Sequence, residues 1–309
     1  LENNFFFCFC FAVLAYPSSG TPFVDHHSTF FSMLAVILTF FALDTNRLIY
    51  WFFVPVLLAM SFLSKPVPAV YVITIILIIT FLYILIFKNY KAIIYVFLGS
   101  SFSMIIFFLI LKVTNTEFSD FWEQYVQYPK MIGLERFNNL NIDLIKILSH
   151  FKFIFISLLP ILFMCIKNIF MKKKYFKDLK FYYLLILIAF TFSLIFHQVL
   201  TKNQTYIFFI IPVLLGATIS FIKIKKPIIF LMILFCLIVT FKYHIRFNEN
   251  RKFHELANVE FTKAEEAVRI DKKLSGLKWI TPQFPKKPIE EINEILKIKN
   301  ILSNEKSNY

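Results

Sequence analysis

Membrane-length apolar runs joined by short connectors, with basic residues crowded into every second connector, constrain this chain more than any other feature. The connectors 44–47, 88–91, 167–180 and 223–226 hold twelve Lys/Arg against two acids, Asp44 and Asp178, which is +10 of the formal +14. The alternate connectors are almost uncharged but carry Asp25, His26, His27, Lys65, Lys202 and Tyr206. Basic loops stay on the cytoplasmic side of a membrane. The reactive groups are therefore expected on the opposite face.

A helix needs about 20 residues to cross roughly 30 Å of hydrocarbon, and about 17 to 25 are tolerated. The runs 28–43, 48–63, 67–87, 92–111, 150–170, 181–200, 206–222 and 227–241 suit that length, the first two and the last by extending into their flanks. They are continuously apolar and do not alternate, so helices are expected and not a barrel. With 58% apolar residues and a mean hydropathy of +0.68, the expected fold is an all-α, polytopic transmembrane bundle of about eight to nine spans. The bundle is assigned to 1–241, with an external loop at 112–149. A small extracytoplasmic helical tail is assigned to 242–309.

Apolar residues 5–16 follow Leu1-Glu2-Asn3-Asn4 directly, without the basic region of a signal peptide, so an upstream portion is expected to be missing. Topology and the tail absorb the net charge, which leaves no excess for a nucleic-acid face. Cys8, Cys10, Cys165 and Cys236 all lie in apolar runs without paired spacing and read as small packing residues. In the loop, Phe118, Phe121, Trp122 and Tyr125 share one helical face, the pattern of a helix lying at a membrane surface. In the tail, Pro288 followed by Glu290 and Glu291 marks a helix start, and about two helices are expected there.

Three external patches carry candidate chemistry. Asp25, His26 and His27 sit just before a span, as helix-capping groups or as ligands of a divalent metal, with Asp25 and His26 the candidate pair. Adjacent histidines point about 100° apart on a helix, so both serving one ion is disfavoured. Lys65 lies in a tight turn, either snorkelling to headgroups or holding a phosphate. Lys202 and Tyr206 stand at the mouth of another span, as an interfacial belt or as phosphate ligands. His197, inside its span, reads as a hydrogen-bonded core histidine. The spans hold almost no ionisable side chain, which argues against a transporter. No phosphate-loop, zinc or redox motif is present.

The order of these patches resembles the membrane glycosyltransferases of the GT-C fold, and most closely glycosyltransferase family 39, which includes protein mannosyltransferases and lipid A aminoarabinose transferases. The resemblance covers roughly residues 10–225. It rests on Pro17 to Asp25 to Phe31, on the turn AMSFLSKP at 59–66, and on Lys202, Tyr206 and Pro212. It implies transfer of a hexose or pentose from a polyprenyl-phosphate donor to a lipid, glycan or protein acceptor. The active face would be extracytoplasmic, in the bacterial inner membrane. Lys65, Lys202 and Tyr206 are then the expected donor-phosphate residues, and Asp25 matches a second acidic position tied to metal or donor. The general-base Asp would lie before Leu1. His26-His27 and the small tail depart from the pattern. The competing expectations are a flippase or polymerase of lipid-linked saccharides, or a non-catalytic scaffold.

Overall fold

A computed structural model describes residues 2–15, 24–171, 175–201, 207–221, 224–247 and 258–305. It is overwhelmingly helical and divides into two compact units, Leu1–Asn248 and Glu249–Tyr309. Six helices are long and apolar enough to cross a membrane: α2 (Val24–Thr45), α4 (Pro66–Phe87), α5 (Tyr90–Val113), α9 (Lys152–Met171), α10 (Leu179–Thr201) and α12 (Lys226–Ile245). Three shorter apolar helices accompany them: α1 (Glu2–Ala15), α3 (Leu48–Ser64) and α11 (Ile210–Phe221), the last entered through a 3₁₀ turn at Ile207–Phe209. Among the described residues there are thus six helices of spanning length and three shorter apolar ones, and the expected eight to nine spans are not confirmed.

The first unit has its apolar surface on the outside. Leu77, Phe81, Phe97, Ile105, Leu159, Phe163 and Phe230 are exposed, while Ser28, Ser32, Ser61, Thr191, His197 and Gln198 are buried. Water would not tolerate that outer surface over so large an area; lipid does. Burial ranks the helices: 61% of the apolar window of α10 is inside protein against 11% for α5. Helix α10 is therefore the central post and α5 a peripheral one. Trp51, stacked on Tyr83 with centroids 5.6 Å apart, anchors α3 to α4 in the interior.

Proline sets the break between α3 and α4. A residue before proline avoids the helical region, and Lys65 is extended (φ −161°, ψ 125°) before Pro66, which occupies the first turn of α4. The opposite end of the bundle uses left-handed turns, Asn46 (φ 56°) and Lys88 (φ 54°). There Asn89 Nδ2 donates to Asn46 Oδ1 at 2.6 Å, and Tyr183 Oη donates to Asp44 Oδ1 at 3.4 Å. These basic connectors thus meet at the end of the bundle away from Asp25.

The external loop forms a surface helix in three pieces: α6 (Phe118–Phe121), a wide π-helical turn (Trp122–Gln127) and α7 (Tyr128–Asn138). Pro129, which has no N–H to return to the preceding turn, follows the widened segment. The expected aromatic face is present. Phe121 stacks on Tyr125 (5.0 Å) and meets Phe107 of α5 edge-on (4.7 Å). A short helix α8 (Leu144–His150), capped by the Asp143 carboxylate on Lys146 N–H, leads into α9.

The second unit departs from the expected pair of helices. Its described part holds one helix, α13 (Pro288–Glu305), and a short antiparallel ladder of β1 (Glu265–Glu266) with β2 (Lys278–Trp279). After a 3₁₀ turn at Lys272–Leu274, Gly276 at φ +83° and Pro282 and Pro285 keep the chain from forming a second α-helix before Pro288. Helix α13 begins at Pro288 with Glu290 and Glu291 in its first turn, and Glu291 accepts hydrogen bonds from Trp279 Nε1 and Thr281 Oγ1.

Helices α3 and α5 approach closely at Gly99. A Cβ there would collide with the Phe52 carbonyl oxygen and come within 2.8 Å of Pro55 Cγ, whereas at Gly133 of α7 it would meet nothing within 4 Å. Gly99→Ala is therefore expected to lower stability by about 1–3 kcal/mol through overpacking. Gly133→Ala should raise it by about 0.5–1 kcal/mol through helix propensity. Unfolding of both variants in detergent checks the contrast, and equal losses would contradict the close approach.

Candidate functional site

Helix α2 starts one residue before Asp25, so Asp25 lies in the first turn and not in the preceding loop. The carboxylate suits the positive end of that helix, but it does not act as a cap. Lys65 Nζ bonds Asp25 Oδ2 at 2.6 Å, and His197 Nε2 lies 3.4 Å from Oδ1. Positions 25, 65 and 197, distant in sequence, meet at one end of the bundle.

The placement is built from below by serines. Ser61 Oγ on α3 donates to the Ser28 carbonyl on α2 at 2.7 Å and therefore accepts from Ser32 Oγ, also at 2.7 Å. Ser28 Oγ donates to the Lys65 carbonyl at 3.1 Å, and the Lys65 N–H donates to Ser61 O at 3.1 Å. Small side chains let α2 and α3 approach, and their hydroxyls cross-link the helices where lipid offers no other partner. The backbone of Lys65 is thereby fixed on both of its polar groups before its side chain reaches Asp25.

Exposure grades the trio. The side chain of His197 is 1% exposed, that of Asp25 13% and that of Lys65 34%. Lys65 is the member that faces outward. Its ammonium has three donors and gives one to Asp25 Oδ2, so two remain for an incoming acceptor. His197, held edge-on to Tyr71 (6.3 Å), keeps the second carboxylate oxygen occupied by donating from Nε2. The carboxylate and ammonium charges cancel, so the ion pair sits partly buried without a net charge.

The surface helix reaches the same turn. Tyr125 Oη donates to the carbonyls of Phe62 (2.9 Å) and Leu63, just ahead of Lys65. Burial pushes the Tyr125 phenol up to about 12, so it remains a donor across the physiological range. Beneath it an apolar cavity of about 460 Å³ runs between α3, α4, α5 and the surface helix, past Leu58, Phe62, Ile73, Leu77, Met104 and Phe121.

Of the residues expected from sequence, Asp25 and Lys65 are brought together. Lys202 and Tyr206 lie outside the described residues. His26 is buried against Phe30, 6.2 Å between ring centroids, and His27 faces outward. The donor set does not fit a divalent ion. Both oxygens of the single carboxylate are engaged by nitrogen groups, one of them a cation that would repel a metal. No group of three or more His, Cys, Asp or Glu side chains is gathered among the described residues. His197 is the site residue that the sequence did not nominate as one. Its signal was an ionisable side chain inside an apolar span, which by default marks function.

A double-mutant cycle tests whether Asp25 and Lys65 act as a unit. Asp25→Asn and Lys65→Met should each destabilise the protein by about 1–3 kcal/mol, below the ~3–5 kcal/mol of a fully buried pair because Lys65 is partly exposed. The double variant should lose less than the sum; strict additivity in detergent unfolding would show the two side chains to be uncoupled. Compared with known proteins, the chain matches no protein-family model, no curated protein and no solved structure at a significant level.

Proposed function

We propose that this chain carries the donor-binding end of a membrane glycosyltransferase that takes a sugar from a polyprenyl-phosphate donor on the outer face of a bacterial inner membrane. The observation that carries the proposal is the 2.6 Å pairing of Lys65 with Asp25. Both residues lie in the stretches that resemble family 39 motifs, 40 positions apart in the chain. Lys65 keeps two donors toward the exterior, and an apolar cavity of polyprenyl character opens along the same helix, α3.

The chemistry needs few parts. The bond between the anomeric carbon and the donor phosphate oxygen breaks, and an acceptor oxygen bonds to that carbon as its proton passes to a base. The departing lipid phosphate gains negative charge, which a fixed ammonium stabilises most effectively where water is scarce. Lys65 takes that role, with Lys202 and Tyr206 as its proposed partners. Asp25 and His197 position Lys65. Basic connectors at the opposite end of the bundle support the outward assignment of the Asp25 end.

In membranes containing the full-length protein and labelled polyprenyl-phosphate sugar, Lys65→Ala should lower lipid-phosphate release by about 10²–10³-fold, the scale of losing one transition-state donor. Asp25→Ala and Lys202→Ala should each reduce it strongly. Wild-type turnover in all three variants would remove the proposal. Bilayer transit of the intact donor, without phosphate release, would favour a flippase.

A further inference from the structure

A second polar feature lies on the far side of α10 from Asp25. A cavity of about 750 Å³ opens between the start of α9, the end of α10 and the end of α12. Lys146, Lys152, Lys242 and Arg246 line it, against one acid, Asp143, which is already paired with Lys146 at 3.2 Å. Lys152 and Lys242 both lean on the Phe153 ring, their ammonium nitrogens 5.4 and 4.9 Å from its centroid, and among the described residues neither has a carboxylate partner. Arg246 lies over Phe247 at 5.5 Å. Two ammonium groups gathered on one ring, Lys152 and Lys242, repel one another unless an anion is shared between them.

Two further observations identify the anion. These cations stand at the end of the bundle opposite the basic connectors, where the charge rule disfavours them. Gln198 contributes to the wall of the cavity, is 1% exposed, and has neither Oε1 nor Nε2 hydrogen-bonded among the described residues. A buried amide left without partners is costly. Nε2 suits a phosphate oxygen, and Oε1, which only accepts, suits a donor such as a headgroup hydroxyl. The walls next to the cavity are lipid-facing: Ile156 and Leu159 on α9, and Ile238 and Phe241 on α12, are all exposed.

We propose that this cavity holds the phosphate headgroup of an anionic, hydroxyl-bearing membrane lipid such as a phosphoglycerol lipid, with Lys152, Lys242 and Arg246 on the phosphate and Gln198 on a headgroup hydroxyl. The proposal is independent of sugar transfer, since it uses neither Asp25 nor Lys65.

Native mass spectrometry of the full chain in detergent, titrated with defined lipids, tests it. Phosphatidylglycerol should bind more tightly than phosphatidylcholine. Lys242→Gln combined with Arg246→Gln, both surface changes, should weaken phosphatidylglycerol by about ten- to thirtyfold, the expected effect of two basic residues near an anionic headgroup. The wild type should prefer phosphatidylglycerol to phosphatidylmethanol, which has the same charge without the glycerol hydroxyls. Gln198→Leu should abolish that preference while leaving the lipid-free melting temperature unchanged or higher, because it removes an unpartnered buried amide. Equal binding of phosphatidylcholine, or an unchanged affinity in the double variant, would overturn the proposal. Competition by free glycerol phosphate as strong as that by the lipid would overturn the lipid assignment and leave a soluble phosphate ester. Should Gln198→Leu fail to fold, the double variant still decides.

Discussion

Peptide groups in hydrocarbon have no water to bond with, and every feature of the first unit follows from that. Backbone donors and acceptors must be satisfied within each helix, so connectors shrink to a few residues and sit at the ends. Only side chains can then join helix to helix, and lipid supplies no hydrophobic drive between them. The bundle accordingly leaves many Phe, Ile and Leu exposed on its outside while Ser28, Ser32, Ser61, Thr191 and His197 lie buried within it. The serine cross-link of α2 to α3 and the ion pair above it are the local expression of the same constraint.

The Asp25–Lys65 pair also shows how little backbone such a site requires. One Lys-Pro step stops α3, forces Lys65 into an extended conformation and starts α4. The two helices it separates present their ends to the first turn of α2. An ion pair so placed is tolerated because its charges cancel and because His197 takes up the remaining carboxylate oxygen. The same geometry leaves Lys65 as the outward-facing member. Next to His197 on α10, Gln198 borders a basic cavity in which, among the described residues, Lys152 and Lys242 have no carboxylate partner. Adjacent residues of one helix thus serve two sites of different character.

Some of this was legible beforehand. Apolar run length identified the helices, since the thickness of hydrocarbon sets their length whatever they pack against. The aromatic face of the surface helix and the start at Pro288 were equally readable, because periodicity and capping are local. One expectation changed form for tertiary reasons. About two helices were expected in the tail; its described part has one α-helix, α13, and Gly276 and the prolines favour turns and a short ladder between β1 and β2. Asp25 and His26, the candidate ligand pair, stay neighbours on α2, with His26 packed on Phe30.

What sequence alone determined was the material of the protein: apolar helices of membrane length, Lys and Arg crowded into alternate connectors, and a short roll of polar residues at the others. Those properties depend on spacing along the chain and on the solvent around it. Only the tertiary structure decided which polar residues meet. Contact between positions 25, 65 and 197 depends on helix order and rotation, which are set by the packing of small side chains and leave no periodic trace in the sequence.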